Sequence, residues 1–175
     1  MKSIELKLIS ELMKNSRRSD RELAKAIGAS QPTVTRIRNK LEKEGYVKEY
    51  TMIPDFRKLG YELLSLTFVR LRKDLNEKEI EKARETARES MKKAGFGFLM
   101  LERGIGLEYD GAFLTVHESY SSYVEFVNWL KEFGFLEISA VDSFLINLAD
   151  EVRYLPLTLS VLGKHVLTLK EKKTK

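Results

Sequence analysis

The first 45 residues place apolar side chains at the three- and four-residue spacing of helices, in three successive stretches. The first stripe consists of Ile4, Leu8, Ile9, Leu12 and Met13. The second stretch lies between Ser19, which forms the Ser-x-x-Glu pattern of a capping box with Glu22, and Gly28, which suits a helix end. The third stripe, after a potential cap at Ser30, consists of Val34, Ile37 and Leu41. The pattern predicts three short helices, the last over 31–44.

Beyond residue 45 the apolar period shortens, and strands alternate with helices. The segment 46–53 has a strand-like pattern that stops at Pro54. The later strands are predicted over 63–71, 96–102, 112–117 and 137–148, and the helices over 76–93 and 120–133. The order βαββαβ is typical of a ferredoxin-like domain. The predicted class is therefore α+β, with an N-terminal helical domain followed by a ferredoxin-like domain.

The residues after 150 form an extension with a pattern of their own. Leu155, Leu157, Leu159 and Val161 alternate with other residues, and Gly163 offers a turn into 166–169. We expect a hairpin that covers a sheet edge or a partner subunit, followed by a disordered basic tail. The predicted domains are 1–53 for the N-terminal helical domain, 54–62 for a linker, 63–150 for the ferredoxin-like domain and 151–175 for the hairpin extension with its tail.

The formal net charge of +5 is distributed unevenly along the 175 residues. Residues 1–60 contain 14 basic and 8 acidic side chains, whereas residues 61–149 contain 11 basic and 15 acidic ones. A basic first third indicates contact with a polyanion, but chance imbalance on solvated faces explains a charge of this size equally well. The charge alone therefore leaves both interpretations open.

The sequence lacks residues and segments that several kinds of site and cellular location require. The chain has no cysteine, which excludes disulfides, thiolate catalysis and cysteine-ligated metals. Its two histidines, His117 and His165, fall in separate strand-like segments without clustered acids, so we interpret them as packing or surface residues rather than metal ligands. No apolar run approaches the ~18 residues of a membrane span, and the charged start offers no signal-peptide core. We expect a soluble cytoplasmic protein that has no metal or cofactor and is not an enzyme.

The second and third predicted helices, with the small Ala24 at their crossing and Gly28 in the turn, form a helix-turn-helix. The third helix buries one stripe, so its other face carries Gln, Asn and Arg side chains that form paired hydrogen bonds with base edges. Basic residues beside that face suit phosphates. The candidate DNA-binding residues are Arg17, Arg18, Ser30, Gln31, Thr33, Thr35, Arg36, Arg38, Asn39, Lys40 and Lys43. On geometry alone, a solvated structural face is the other interpretation.

Several motifs occur in a fixed order along the chain. NSRRS precedes the second helix, ELAKAIG lies within it, SQPTVTRIRNKLEKEG spans the third helix, and YTMIPDFRKLG and GLEYDGAFLTV follow. This series resembles the Lrp/AsnC family of prokaryotic transcriptional regulators, strongly over the first 60 residues and loosely to about residue 150. The resemblance implies a sequence-specific DNA-binding regulator with a winged-helix domain and a βαββαβ domain for ligand binding and assembly.

The resemblance also implies partners. It implies a homodimer that places two recognition helices on a pseudo-palindromic promoter site, with further assembly into higher oligomers, and a small effector, typically an amino acid. The positions that match the family's effector turn are Gly104, Gly106, Tyr109 and Asp110, where a carboxylate would pair with an amino group and glycines would expose backbone amides. On turn chemistry alone, an ordinary hairpin loop explains 104–111 equally well.

Two other functions stay open at this point. Siroheme decarboxylases look like this family, so an enzyme on the same scaffold would bind a polycarboxylated tetrapyrrole through His117, Arg70, Arg72 and Arg103. An effector-independent architectural protein would instead wrap DNA with little sequence preference. The basic face of the third helix favours the sequence-specific regulator over both.

Overall fold

The computed structural model of the chain describes residues 1–104, 106–152 and 154–168, which form two compact units. The first unit comprises 1–53 together with 154–168, and the second comprises 54–152. Leu169 and the basic tail after it, for which a strand end and disorder were expected, lie outside the described residues. No helix in the described ranges is long and apolar enough to cross a membrane.

The first unit begins with three helices, α1 (Ser3–Lys14), α2 (Asp20–Ile27) and α3 (Gln31–Lys43). Ser19 caps α2 in a capping box with Glu22, and Gly28 ends it with a φ of 69°. Ser30 accepts a hydrogen bond from the backbone N–H of Thr33 at the start of α3. The buried core between the helices consists of Leu8, Leu12, Leu23, Ala24, Ile27, Val34, Ile37 and Leu41. The three predicted helices are therefore confirmed.

The strand predicted over 46–53 is absent, since this segment has no regular secondary structure and no strand pairing. The amides of Tyr46 and Val47 donate to the Leu41 carbonyl at the end of α3, at 2.9 and 3.3 Å. A strand needs a neighbouring strand for its backbone groups, and the alternating side chains of this segment do not provide one. The strand prediction is therefore wrong here.

The hairpin predicted in the C-terminal extension is also wrong, because its described part contains helix α6 (Ser160–Thr168). This helix packs on α1, and not on a sheet edge. Gly163 is buried at the contact, where an added Cβ would lie 2.9 Å from the Ser10 carbonyl oxygen. His165 accordingly lies in a helix and not in a strand. The alternating leucines before α6 are exposed, so their pattern does not reflect a buried face.

The second unit is a four-stranded antiparallel sheet with two helices. Its elements are β1 (Leu63–Leu71), α4 (Glu77–Lys93), β2 (Gly97–Arg103), β3 (Gly111–His117), α5 (Tyr120–Lys131) and β4 (Leu136–Asn147). The strand order across the sheet is β2-β3-β1-β4. The βαββαβ order and the α+β class are confirmed.

One face of this sheet is buried beneath α5. Phe126 of α5 contacts Phe113 of β3 with ring centroids 5.8 Å apart, within a larger aromatic cluster. A row of polar side chains on the same face is fully buried and bonded internally, and it consists of Ser65, Thr67, Thr115 and His117. His117 is therefore a satisfied core residue, as its separation from other metal-ligating residues indicates.

Candidate nucleic-acid interface

Helix α3 presents the candidate DNA-binding surface because only one of its stripes is buried. That buried stripe consists of Val34, Ile37 and Leu41. With about 3.6 residues per turn, the opposite side of the helix carries Arg36, Asn39 and Lys43, which succeed one another at three- and four-residue intervals. All three side chains are exposed. We call these three residues the outward stripe.

The cations of the outward stripe have no hydrogen-bond or ion-pair partner among the residues that the structure describes. Within the described ranges, neither Arg36 nor Lys43 takes part in an ion pair. The neighbouring acid on α3, Glu42, accepts a hydrogen bond from the Tyr50 hydroxyl at 2.7 Å. The outward stripe is therefore available to donate hydrogen bonds to an external acceptor.

The first turn of α3 carries three more of the predicted residues. The Ser30 hydroxyl lies 2.8 Å from the hydroxyl of Thr33, so these two side chains satisfy each other at the helix start. Gln31 is exposed, with its amide group available for pairing. The N-terminal end of the helix therefore combines an exposed amide side chain with the capping hydroxyl of Ser30, which also contacts the Thr33 hydroxyl.

Two predicted residues of α3 turn back toward α2. A terminal nitrogen of Arg38 lies 2.7 Å from Asp20 Oδ1, and the Thr35 hydroxyl donates to Asp20 Oδ2 at 2.6 Å. Arg38 also donates to the Arg18 carbonyl at 3.4 Å, and its guanidinium carbon lies 5.8 Å from the centroid of the Tyr50 ring. The sequence pattern gives no sign of the Asp20 contact, because the two helices meet only in the folded unit.

Lys40, also predicted as a DNA-binding residue, bonds instead to α1. Its ammonium group donates to Glu5 Oε1 at 2.8 Å, and the Glu5 residue is 4% exposed. The hydrogen bond from Lys40 lowers the pKa of the Glu5 carboxyl, and the same bond raises the pKa of Lys40. Lys40 therefore fastens α3 to α1.

The turn between α1 and α2 carries the remaining two predicted residues. Arg18 forms an ion pair with Glu11, a carboxylate that it shares with Lys14. Hydrogen bonds from Lys14 and then Arg18 lower the pKa of Glu11. Arg17 is exposed and has no ion pair within the described chain. Of the two arginines, only Arg17 is free for an external anion.

In the second unit, the predicted effector residues come together in one turn that is closed by its own hydrogen bonds. The Gly104 amide donates to the Asp110 carbonyl, and the Tyr109 amide donates to the Gly106 carbonyl, both at 3.1 Å. The Asp110 carboxylate accepts from the Leu71 amide at 2.8 Å, where β1 shifts register against β4. At least one oxygen of this carboxylate therefore holds the turn on the sheet.

Tyr109 brings further polar residues to this turn. Its hydroxyl donates to the Asp142 carboxylate of β4, which raises the pKa of Tyr109. Its ring packs against Phe68 with centroids 5.5 Å apart, and the Arg70 guanidinium carbon lies 5.4 Å from the ring centroid. Arg70 Nε also donates to the Glu108 carbonyl at 2.5 Å. The sequence alone does not indicate that Asp142 lies near Tyr109, because only the pairing of β1 with β4 brings the two residues together.

Comparison with known families identifies the first unit. Residues 1–48 match the family of winged helix-turn-helix DNA-binding domains. This stretch contains all of α1, α2 and α3, and therefore the outward stripe.

Known proteins resemble the first third of the chain in sequence. An uncharacterized HTH-type transcriptional regulator of Pyrococcus furiosus is 41% identical over 61 residues, which make up 35% of this chain and 41% of that protein. The HTH-type transcriptional regulator LrpC of Bacillus subtilis is 47% identical over 57 residues, or 33% of this chain and 40% of LrpC. The matched stretch thus spans less than half of either relative.

Solved structures resemble most of the chain in fold. The structure of LrpC from Bacillus subtilis matches this chain with a TM-score of 0.68 and 24% sequence identity. The match covers 89% of this chain and 99% of LrpC. A transcriptional regulator of Neisseria meningitidis in complex with L-Met has a TM-score of 0.72 and 20% identity, covering 93% of this chain and 99% of that one. At these identities the likeness establishes the fold. With the sequence match over the helical unit, it confirms the resemblance of this chain to the Lrp/AsnC family.

Proposed function

We propose that this chain is a sequence-specific DNA-binding transcriptional regulator of the Lrp/AsnC type. The observation that carries the proposal is the outward stripe, in which Arg36, Asn39 and Lys43 are exposed on the side of α3 opposite its buried core. Relatives of this segment bear the names of transcriptional regulators, which supports the same function.

In the proposed complex, α3 lies in the major groove with its first turn nearest the bases. Gln31, Arg36 and Asn39 are suited to base edges, because their side chains form paired hydrogen bonds. Lys43 and Arg17 are suited to phosphates, which give affinity and salt dependence but no sequence preference. In this arrangement, the base contacts of α3 determine which DNA sequence is bound, and the cations around the helix contribute affinity.

The test is a titration of the protein's own promoter region, with scrambled DNA of equal length, over a series of salt concentrations. Replacing Arg36 or Lys43 by Ala should weaken binding. The salt slope should shrink by about 1 for each phosphate that the protein no longer neutralises, or the preference should relax at one base pair. Arg88→Ala on α4 removes the same charge from the second unit and serves as the control. Unchanged binding in both α3 variants would refute this docking arrangement.

We propose that a homodimer presents two copies of α3 to DNA. The sheet face turned away from α5 carries exposed apolar side chains, with Phe144 65% and Ile146 43% exposed. A second copy related by a two-fold axis would cover this face, and two related recognition helices suit a pseudo-palindromic site. Phe144→Asp should lower the mass measured by light scattering, whereas Val124→Asp on α5 should leave it unchanged. Equal masses for Phe144→Asp and the parent protein would contradict the use of this face.

We propose that an amino acid binds near the turn that contains Gly106, Tyr109 and Asp110. The Neisseria meningitidis regulator of the same fold was solved with L-Met, which supports an effector of this class. Binding would raise the melting temperature by an amount that grows with the ratio of ligand concentration to dissociation constant. A thermal-shift screen of the amino acids tests the proposal, and no shift with any of them would leave an effector-independent architectural binder as the better account. Equal affinity for promoter and scrambled DNA would favour that account as well.

A siroheme-processing enzyme on the same scaffold is not favoured by the geometry of its candidate donors. His117 is 1% exposed and its Nε2 already contacts the hydroxyls of Thr115 and Ser65, at 2.8 and 3.2 Å. Arg70 is engaged by the Glu108 carbonyl. Addition of siroheme should therefore produce no change in the absorption spectrum of the protein, and a clear change would reopen the enzymatic alternative.

A further inference from the structure

Asp20, in the first turn of α2, holds two side chains of the recognition helix at once. Its Oδ1 lies 2.7 Å from a terminal nitrogen of Arg38, and its Oδ2 accepts from the Thr35 hydroxyl at 2.6 Å. The side chains of Arg38 and Asp20 are 21% and 19% exposed, respectively. An ion pair that is largely shielded from water is stronger than one between fully exposed side chains.

Other groups hold the Arg38 guanidinium in the same orientation. It donates to the Arg18 carbonyl at 3.4 Å and lies over the Tyr50 ring, 5.8 Å from its centroid. The Tyr50 hydroxyl donates in turn to Glu42, and burial together with this bond raises the pKa of Tyr50 to about 12. Tyr50 therefore stays protonated near neutral pH and keeps its bond to Glu42. Arg38 Nε is buried without a hydrogen-bond partner in the described structure, so the guanidinium depends on its terminal nitrogens.

The position of Arg38 on α3 gives this contact a consequence for DNA binding. Successive residues of an α-helix point about 100° apart, so Arg38 lies on the side of α3 that faces α2, between the buried stripe and the outward stripe. A guanidinium released from Asp20 would add one cation beside Arg36 and Lys43. Asp20 and a DNA phosphate are therefore competing acceptors for the same guanidinium.

We infer that Asp20 is a positioning residue, which withholds the Arg38 guanidinium from DNA phosphates and leaves DNA contact to the outward stripe. The inference rests on the proposed DNA-binding function. A cation that meets phosphate raises the affinity for every sequence alike, because phosphates carry no base identity. With Arg38 withheld, the affinity for every DNA sequence is lower and depends less steeply on salt, while the discrimination between promoter and other DNA, which depends on base contacts, is unchanged.

The decisive variant is Asp20→Asn, which keeps the size of the side chain and removes its charge. If Arg38 then reaches a phosphate in each subunit, the plot of log K against log salt becomes steeper by about 0.9 per subunit, or about 1.8 for a dimer. As the salt concentration rises from about 50 to about 200 mM, the ratio of the variant's affinity to the parent's affinity should therefore fall by about 12-fold. The ratio of promoter to scrambled-DNA affinity should stay that of the parent at each salt concentration, because a phosphate contact raises both affinities alike.

Four matched variants isolate the role of Arg38. Asp20→Glu retains the carboxylate and should restore the parental slope. In the double variant Asp20→Asn/Arg38→Ala, the steeper slope should disappear, because the released cation is gone. Glu49→Gln removes an exposed acid of the same unit that has no ion pair in the described ranges, and it should leave the slope unchanged. Arg38→Ala alone should also keep the parental slope, even where it lowers the stability of the fold.

Every result of these measurements either supports or contradicts the proposed role of Asp20. A parental slope in Asp20→Asn, a steeper slope that persists in the double variant, or an equal effect of Glu49→Gln would overturn it. If Asp20→Asn does not fold, Arg38→Ala decides, since a slope reduced by about 1.8 would show that Arg38 already contacts phosphate in the parent dimer. If the parent itself shows no salt-dependent binding to promoter DNA, the proposed function fails, independently of Asp20.

Discussion

Mild acidification should destabilise the second unit through His117, which is 1% exposed at the end of β3. Its Nε2 lies 2.8 Å from the Thr115 hydroxyl and 3.2 Å from the Ser65 hydroxyl. The Tyr123 and Phe126 rings pack against it, with centroids 5.6 and 5.3 Å away. Burial lowers the pKa of His117, because the imidazolium form loses its hydration among these neighbours. The Glu118 carboxylate opposes this shift but does not cancel it.

The sign and size of the effect follow from the two protonation states. The pKa of His117 in the folded protein lies below the ordinary value of 6.5, so the unfolded chain takes up the proton first as the pH falls. The stability that neutral His117 confers is therefore fully present above about pH 6.5 and is lost as the pH falls toward the folded-state pKa. Within that window, the free energy of unfolding should decrease by up to ~1.4 kcal/mol per pH unit. Buried carboxyls such as Glu5, whose pKa is lowered from 4.5, contribute only at more acidic pH.

The assay is urea unfolding between about pH 5.5 and 7.5, followed by the fluorescence of Trp129, the only tryptophan of the chain. Trp129 packs in the aromatic cluster of the second unit, so its signal reports that unit. His117→Asn should abolish the pH dependence in this window, at the cost of lower stability. His165→Asn replaces the exposed histidine of α6 and should leave the dependence intact. A free energy of unfolding that is flat with pH in the parent, or that slopes equally in His117→Asn, would refute the reasoning.

Two further predictions concern packing in the first unit. Gly163→Ala would stabilise an isolated helix by up to about 1 kcal/mol, but its Cβ would lie 2.9 Å from the Ser10 carbonyl oxygen. We therefore expect a net loss of ~1–3 kcal/mol in thermal unfolding, with the unobstructed Gly134→Ala as control, and a gain would show that α6 does not pack on α1. Leu41→Ala removes a fully buried side chain of the helical core and should cost ~2–5 kcal/mol in urea unfolding, whereas the exposed Asn39→Ala should stay within about 0.5 kcal/mol. Equal effects of Leu41→Ala and Asn39→Ala would contradict the assigned core.

The elements that sequence reasoning predicts well are those determined by near neighbours in the chain. The start of α2 depends on Ser19 and Glu22, three positions apart, and its end depends on Gly28 alone. The strand β1 has the boundaries that the sequence predicts, because its apolar and β-branched run is bounded by clear breaks. Local hydrogen bonds and side-chain periodicity suffice for such elements.

The errors concern segments whose structure depends on partners elsewhere. The alternation over 46–53 indicates an extended chain, but pairing requires a second strand, and the described residues of this unit contain none. The alternating leucines before Ser160 are exposed, and α6 forms where Gly163 permits close approach to α1. For the same reason the sequence identifies Arg38 as a cation of the recognition helix but not its pairing with Asp20.

The salt dependence of DNA binding should reflect the free cations of the folded unit and not the number of basic residues in its sequence. The cations that the sequence places around the recognition helix are Arg17, Arg18, Arg36, Arg38, Lys40 and Lys43. Arg18, Arg38 and Lys40 are held by carboxylates of the same unit, which leaves three of the six per subunit free of ion pairs in the described ranges. Of these three, Arg17 and Lys43 are assigned to phosphates and Arg36 to base edges, so a proposed dimer with four phosphate contacts should show a slope of log K against log salt of about −4, since each contact contributes about −0.9. If all six cations reached phosphate, the slope would be about −11, and a measured value close to that figure would mean that DNA breaks the internal pairs of Asp20, Glu5 and Glu11.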